Sequence, residues 1–380
     1  MLHFNPAVKI KFQYALEIRM NPRERCIKSI EFEEIDRVPT VFRARPEVIS
    51  LLEEHLNVKG FDNICSKLDV DVRFAPAISL TGGYIPKGVE VKEGPYEAAY
   101  TIRWSGEYEL RKDRWGIISK WSSKTYTYQY VDHPLKTIDV EDYVWPEVNE
   151  ESFELVKKYR AENEDFCVYG GVIHLFEIAW QLTGFNELMV MMRRNDPRIG
   201  KILDTLNDIR LKQAKMLLEA GVDIVYDGDD VGAQNTMIIS PVLWRRFLKP
   251  RYKLLSDLIH SKGKYFFFHS DGWIEPIIHD LIEIGVDVLN PVQPETMDPV
   301  RVRELCGSKM AFEGTLSIQK TLPFGSVEDV RKEVRKRIRE LGSTGLILGP
   351  SHSLQPDTPL ENILAIYDTV KRESLKHLSC

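Results

Sequence analysis

The feature that most constrains this chain is an alternation of short apolar runs with helical stretches through its C-terminal half. Strand-like runs begin at Val222, Lys264, Val286, Lys309 and Gly345, and each gap leaves room for a helix. A helix between consecutive strands makes every connection a crossover, so the strands lie parallel. A run over 166–172 precedes them, and stretches over 38–42 and 69–74 bring the number of strands to eight. Eight parallel strands with intervening helices predict an α/β fold, the (β/α)8 TIM barrel.

In that architecture chemistry sits where the strands end. The stretch 264–272 reads Lys-Tyr-Phe-Phe-Phe-His-Ser-Asp-Gly, a buried strand that ends in His269, Ser270 and Asp271. The other strands deliver Gly170-Gly171 with His174, Asp227 with Asp229 and Asp230, Asn290 with Gln293, Glu313, and Ser351-His352. His269, His352 and one carboxylate form a plausible ligand set for zinc or iron(II) with an open position. Asp271 is the first candidate for the carboxylate and Asp230 the second; a metal-free site that hydrogen-bonds substrate is the alternative. Among Asp227, Asp229 and Asp230, like charges raise one another's pKa, so one of them could serve as a general base or bind a cationic substrate. A helix-capping turn accounts for at least one of the three. Arg43 and Arg45 follow the first strand and could hold a substrate carboxylate, or form surface salt bridges. His174, Asn290, Gln293 and Glu313 are candidate substrate contacts.

Local signals set the remaining organisation. Residues 1–20 read as an N-terminal extension, with Met20 as an alternative start, and 21–380 as the barrel domain. Asn21, Pro22 and Glu24 open a helix, as do Asp196-Pro197 and Ser240-Pro241. The second and third of these predict helices over 197–220 and 241–262, and another helix is predicted over 174–194. Residues 87–131 break the pattern: proline, glycine and aromatics punctuate alternating runs, which predicts antiparallel hairpins inserted over one face. Trp104, Trp115 and Trp121 could line a cleft there or anchor the insertion to the barrel.

Composition narrows the partners. A net charge of −6 and the lack of a long basic run argue against nucleic acid or an acidic membrane surface. The five cysteines form no Cys-x-x-Cys pair, which favours a reducing, cytoplasmic setting without a thiolate zinc site. No apolar stretch reaches the roughly 18–20 residues that span a bilayer. Oligomeric state is left open, a homodimer included.

Several segments together resemble the uroporphyrinogen decarboxylase superfamily, in its branch of corrinoid and coenzyme M methyltransferases. They are Glu33-Glu34-Ile35-Asp36-Arg37-Val38-Pro39, Asp113-Arg114-Trp115-Gly116, and Gly228-Asp229-Asp230-Val231-Gly232 with Ile239-Ser240-Pro241. To these are added Phe268-His269-Ser270-Asp271-Gly272, Asn290-Pro291-Val292-Gln293, and Gly349-Pro350-Ser351-His352 with Gln355-Pro356-Asp357-Thr358-Pro359. The resemblance implies a (β/α)8 barrel and a zinc site built from a His-x-Cys and a later cysteine. His269 matches that histidine, while Asp271 and His352 stand where the thiolates would be. It also implies methyl transfer between a small methylated substrate and a corrinoid on a partner protein, or a thiol, with a divalent metal such as zinc. Porphyrinogen decarboxylation is the alternative. Its arginine motif is reduced here to Arg43 and Arg45, and 75–83 contains no carboxylate. A non-catalytic subunit that docks a corrinoid protein is the third reading.

Overall fold

The computed structural model describes residues 20–92, 99–122 and 127–377. Residues 1–19 of the N-terminal extension read over 1–20 therefore lie outside the described residues, as do 93–98 and 123–126 of the insertion.

Seven parallel strands form the central sheet, in the order β1 (Val72–Phe74), β8 (Cys167–Gly171), β9 (Ile224–Gly228), β10 (Tyr265–His269), β11 (Val288–Asn290), β12 (Ala311–Glu313) and β13 (Leu346–Ile347). The predicted first strand over 38–42 is reduced to a single parallel bridge between Thr40 and Leu348. Pro39 lacks an N–H and cannot extend the ladder. The segment nevertheless closes the ring. Val41 N donates to Leu348 O (3.0 Å), Leu348 N to Pro39 O (2.8 Å), and Asp71 N to Thr40 O (3.1 Å). The barrel expected from the strand count is thus present, with its weakest seam at Thr40.

Strand alternation divides the apolar residues into two cores. Val41, Val72, Tyr169, Ile224, Phe267, Val288 and Ile347 pack inside the barrel, together with Cys26 and Ile30 from the helix Pro22–Ile30. Val168, Val225, Phe266, Phe268, Leu289 and Phe312 face outward into the layer of helices. Ser29 Oγ donates to Leu346 O (3.0 Å) and Gly345 N to Ser29 O (2.7 Å), which sets this helix beneath the starts of the strands.

The short-range helix signals act as read: Asn21, Asp196 and Ser240 each cap the helix that follows. Two predicted helices are interrupted. The one over 174–194 breaks at Gly184 (φ +89°) into Leu175–Thr183 and Phe185–Arg194. The one over 241–262 contains a π turn, Trp244–Leu248, just before Pro250, whose missing N–H removes a helical bond.

The stretch read as an insertion carries a four-stranded antiparallel sheet, β3 (Ala99–Ser105), β4 (Tyr108–Asp113), β5 (Ile118–Ser122) and β6 (Thr127–Asp132). Outside it, β2 (Leu80–Gly82) pairs antiparallel with β7 (Pro146–Val148) and brings the two flanks together. No described helix is long and apolar enough to cross a membrane.

Candidate active site at the barrel mouth

A cavity of about 1110 Å³ opens above the carboxyl ends of the strands. Ile78, Ile178 and Phe267 supply apolar wall, and Trp115 with Arg114 bring the insertion over it. Of the three tryptophans considered for this cleft, only Trp115 lines it. Trp104 is 62% exposed, and Trp121 stacks on Tyr128 (centroids 6.4 Å apart).

Parallel register places His269 beside Gly228 of β9 and Asn290 of β11. The loops that follow β9 and β10 are then fused backbone to backbone. A Cβ on Gly232 would lie 2.5 Å from Asp271 O, and one on Gly272 (φ +82°) 2.5 Å from Gly232 C. Ser270 Oγ accepts Val231 N (3.0 Å), and Asp230 Oδ1 accepts Asp271 N (2.8 Å). As a result one atom from each of Asp230, His269 and Asp271 lies within 4.8 Å of the others. His269 Nε2 is 3.6 Å from Asp230 Oδ1 and 4.0 Å from Asp271 Oδ1.

His352 arrives from the loop after β13. Its Nε2 lies 3.8 Å from Asp271 Oδ2, and its ring centroid 6.4 Å from that of His269. Two imidazoles from distant parts of the chain therefore meet at one rim with Asp271 between them. Burial lifts the Asp271 carboxyl above its ordinary value. The charges of His269 and His352 oppose that shift, and Asp230 adds to it.

Other candidates fall elsewhere. Asp227 is fully buried in an ion pair with the equally buried Arg210, and burial pushes it up to about 6. Asp229 caps the helix Leu175–Thr183: its carboxylate accepts Leu175 N (3.0 Å), Phe176 N (2.8 Å) and Glu177 N (2.9 Å), and Tyr252 donates to it as well. Both lie away from the cavity lining, and each holds elements together. Asp230 is the one beside His269, which lines the cavity; like Asp271, it does not line the cavity itself. Arg45 precedes the helix Pro46–Leu56, 3.9 Å from Glu47 Oε2, and does not line the cavity. Gln293 is buried in the turn that receives Thr296 N and Met297 N, and it too is away from the cavity lining.

Arg43 does line the cavity. It is paired with buried Glu313 and packed over Phe74 (4.8 Å) and Phe267 (5.7 Å). His174 also lines it, and its Nδ1 is 2.5 Å from Glu177 Oε2. Burial lowers the imidazole pKa, but the hydrogen bond and charge of Glu177 and the charges of Asp229 and Asp227 outweigh it and raise the group to about 9. Sequence reasoning missed Glu177, although its place three residues into a helix after His174 was a usable signal. It also missed Tyr169, whose hydroxyl donates to Glu313 Oε2 (2.8 Å) from inside the barrel. Nothing local marks such a residue.

The family profile described as uroporphyrinogen decarboxylase (URO-D) matches residues 126–373. The chain is 25% identical over 202 residues to the methylcobamide:CoM methyltransferase MtaA of Methanosarcina barkeri, covering 53% of this chain and 57% of that protein. It is 22% identical over 232 residues to a methylated-thiol–coenzyme M methyltransferase of Methanosarcina mazei, covering 59% and 60%. It is 26% identical over 186 residues to the uroporphyrinogen decarboxylase of Chloroherpeton thalassium, covering 47% and 49%. The matched stretches thus span about half the length of these relatives. A solved methyltransferase from Methanosarcina mazei superposes with a TM-score of 0.65 over 93% of this chain and 99% of that one, at 18% identity, which establishes the shared fold.

Proposed function

This chain belongs to the uroporphyrinogen decarboxylase family, and on that premise we propose that it is a methyltransferase. The reaction moves a methyl group between a small methylated substrate and either a corrinoid carried by a partner protein or a thiol. The observation that carries this reading is the convergence of Asp230, His269 and Asp271 within 4.8 Å of one another, next to the cavity that His269 and His352 line. The relatives named for methyl transfer to or from corrinoids and thiols support it.

The donor set fits a divalent ion. Two carboxylates side by side in a partly buried site repel each other, and a cation between them offsets that cost. The set is oxygen-rich, and the four described cysteines are buried elsewhere. Asp230, His269 and Asp271 would hold the ion, zinc or iron(II) by donor type, with His352 able to complete the set. When bound, the ion supplies Lewis-acid polarisation of the heteroatom that bears the methyl group, or lowers the pKa of an acceptor thiol. The chain's own residues do the remaining work. Ile78, Ile178 and Trp115 exclude water from the cavity, and His174 sets a cationic imidazole on its wall.

The decarboxylase reading has less support. The Arg43 guanidinium is taken by Glu313, and the wall contributed by Ala75, Ala77, Ile78 and Ser79 offers no carboxylate to pyrrole N–H groups.

Metal analysis of the purified protein tests the proposal, together with methyl transfer from methylcobalamin to a thiol. One divalent ion per chain is expected, and His269→Ala should lose both the ion and the activity. A metal-free wild-type protein whose turnover is indifferent to that substitution would sink the reading.

A further inference from the structure

The amide of Asn290 cannot be turned either way round. On one side it faces Glu313, whose backbone carbonyl can only accept and whose carboxylate already takes donors from Arg43 and Tyr169. Asn290 Nδ2 therefore donates to Glu313 Oε1 (3.1 Å) and to Glu313 O (3.2 Å). The amide oxygen is left facing His269 Nδ1 at 2.6 Å, a distance that requires a hydrogen on the imidazole nitrogen. With Nδ1 protonated, the neutral ring presents a bare lone pair on Nε2. That nitrogen looks toward Asp230 (3.6 Å) and Asp271 (4.0 Å), too far for good hydrogen bonds and far enough to leave space for an ion.

A second, independent feature protects this arrangement. Gly314 follows Glu313 with φ +71°, and a Cβ there would sit 2.7 Å from Asn290 Nδ2. The backbone next to Asn290 is kept bare at the point where the amide must approach it. Arg43 and Tyr169 hold the Glu313 carboxylate from other sides, so the acceptor itself is fixed.

We infer that Asn290 is a positioning residue rather than a substrate contact: it transmits the acceptor groups of Glu313 to His269 and locks the ring with its Nε2 lone pair toward Asp230 and Asp271. Glu313 acts behind it in the same chain of hydrogen bonds. The inference deepens the proposed function and rests on Asp230, His269 and Asp271 forming the reaction centre. Groups behind metal-bound histidines commonly act in this way, and their loss costs on the order of 10–100-fold in metal affinity.

The test reads the tautomer directly, by long-range proton–nitrogen NMR on metal-free protein labelled at histidine nitrogens. Read at a pH where the ring is neutral, wild-type His269 should carry its proton on Nδ1; a neutral ring with its proton on Nε2 overturns the inference without recourse to any variant. Asn290→Leu should release the ring to a mixture of tautomers and weaken zinc binding, measured by chelator competition, by roughly 10–100-fold. An unchanged tautomer in that variant also overturns it. Glu313→Gln, which still presents two carbonyl acceptors to Asn290, should retain the wild-type tautomer. If wild-type protein binds no zinc while the tautomer follows these expectations, the metal reading fails and the positioning role of Asn290 stands.

Discussion

Three aspartates within four positions do three different jobs, and substitution should separate them. Asp227→Asn leaves the buried Arg210 guanidinium without its counter-charge. It should cost about 3–5 kcal/mol in denaturant unfolding. Asp230→Asn touches a half-exposed carboxylate beside His269. It should leave the unfolding midpoint near that of wild type while abolishing metal retention. If both variants lose stability equally, the division of roles is wrong. The sequence shows a run of like charges after a strand, and that much was legible. What separates the three is their distant partners. Arg210 lies on the preceding long helix, and Leu175 starts a helix more than fifty residues upstream of Asp229. His269 and His352 were legible for the opposite reason: one ends a strand and the other lies in the short loop after one, and strand ends share one rim in this fold.

At the level of elements, the site depends on two loops held in contact through Gly232 and Gly272. Gly272→Ala adds a methyl group against backbone that cannot retreat, at a positive φ that favours glycine. The loops should part, with activity and metal binding falling more steeply than stability, as paired titration and melting experiments would show. A second joint ties the helix Lys249–His260 to the sheet. His260 Nε2 lies 2.8 Å from Asp287 Oδ2, which also accepts Phe266 N (2.7 Å). The hydrogen bond that His260 donates to Asp287 raises the His260 pKa against the opposing effect of burial. Its contribution to stability is therefore complete below about pH 6.5 and is lost as pH rises through the raised value. The melting temperature of His260→Asn should trail wild type at pH 6 and approach it at pH 9. A gap that widens with pH would refute the assignment. Helix starts were readable because a cap is a local matter of three or four residues. The π turn before Pro250 was not, since the ring removes a bond but does not say how the helix will absorb the loss.

At the scale of the whole molecule, the barrel closes where it has least ladder. Asp71, fully buried beside the Thr40 segment, compensates. Its carboxylate accepts Thr40 N (2.8 Å) and Arg37 (2.6 Å) and pairs with Arg25 from the helix beneath. Asp71→Ala should cost about 1–3 kcal/mol by leaving the buried Thr40 N–H and arginine donors short of an acceptor, although Arg25 keeps Asp36 and Arg37 keeps Asp69. It should also remove hydrogen-exchange protection from the Thr40 amide before that of the central strands. Uniform loss of protection would mean that the seam is no weaker than the rest. The eightfold count was legible from spacing alone, but the frailty of the first strand was not, because it follows from a partner that pairs with it only after the ring has closed.

The helix Pro22–Ile30 lies under the starts of the strands, with Cys26 and Ile30 packed into the interior core. Among the described residues the barrel is thereby stoppered from below, and traffic has to use the top. Under the proposed methyl transfer, donor and acceptor would both approach from that upper end. On that reading a partner docked over the larger mouth would cover a small molecule already bound there, so the order of binding would matter to the proposed reaction.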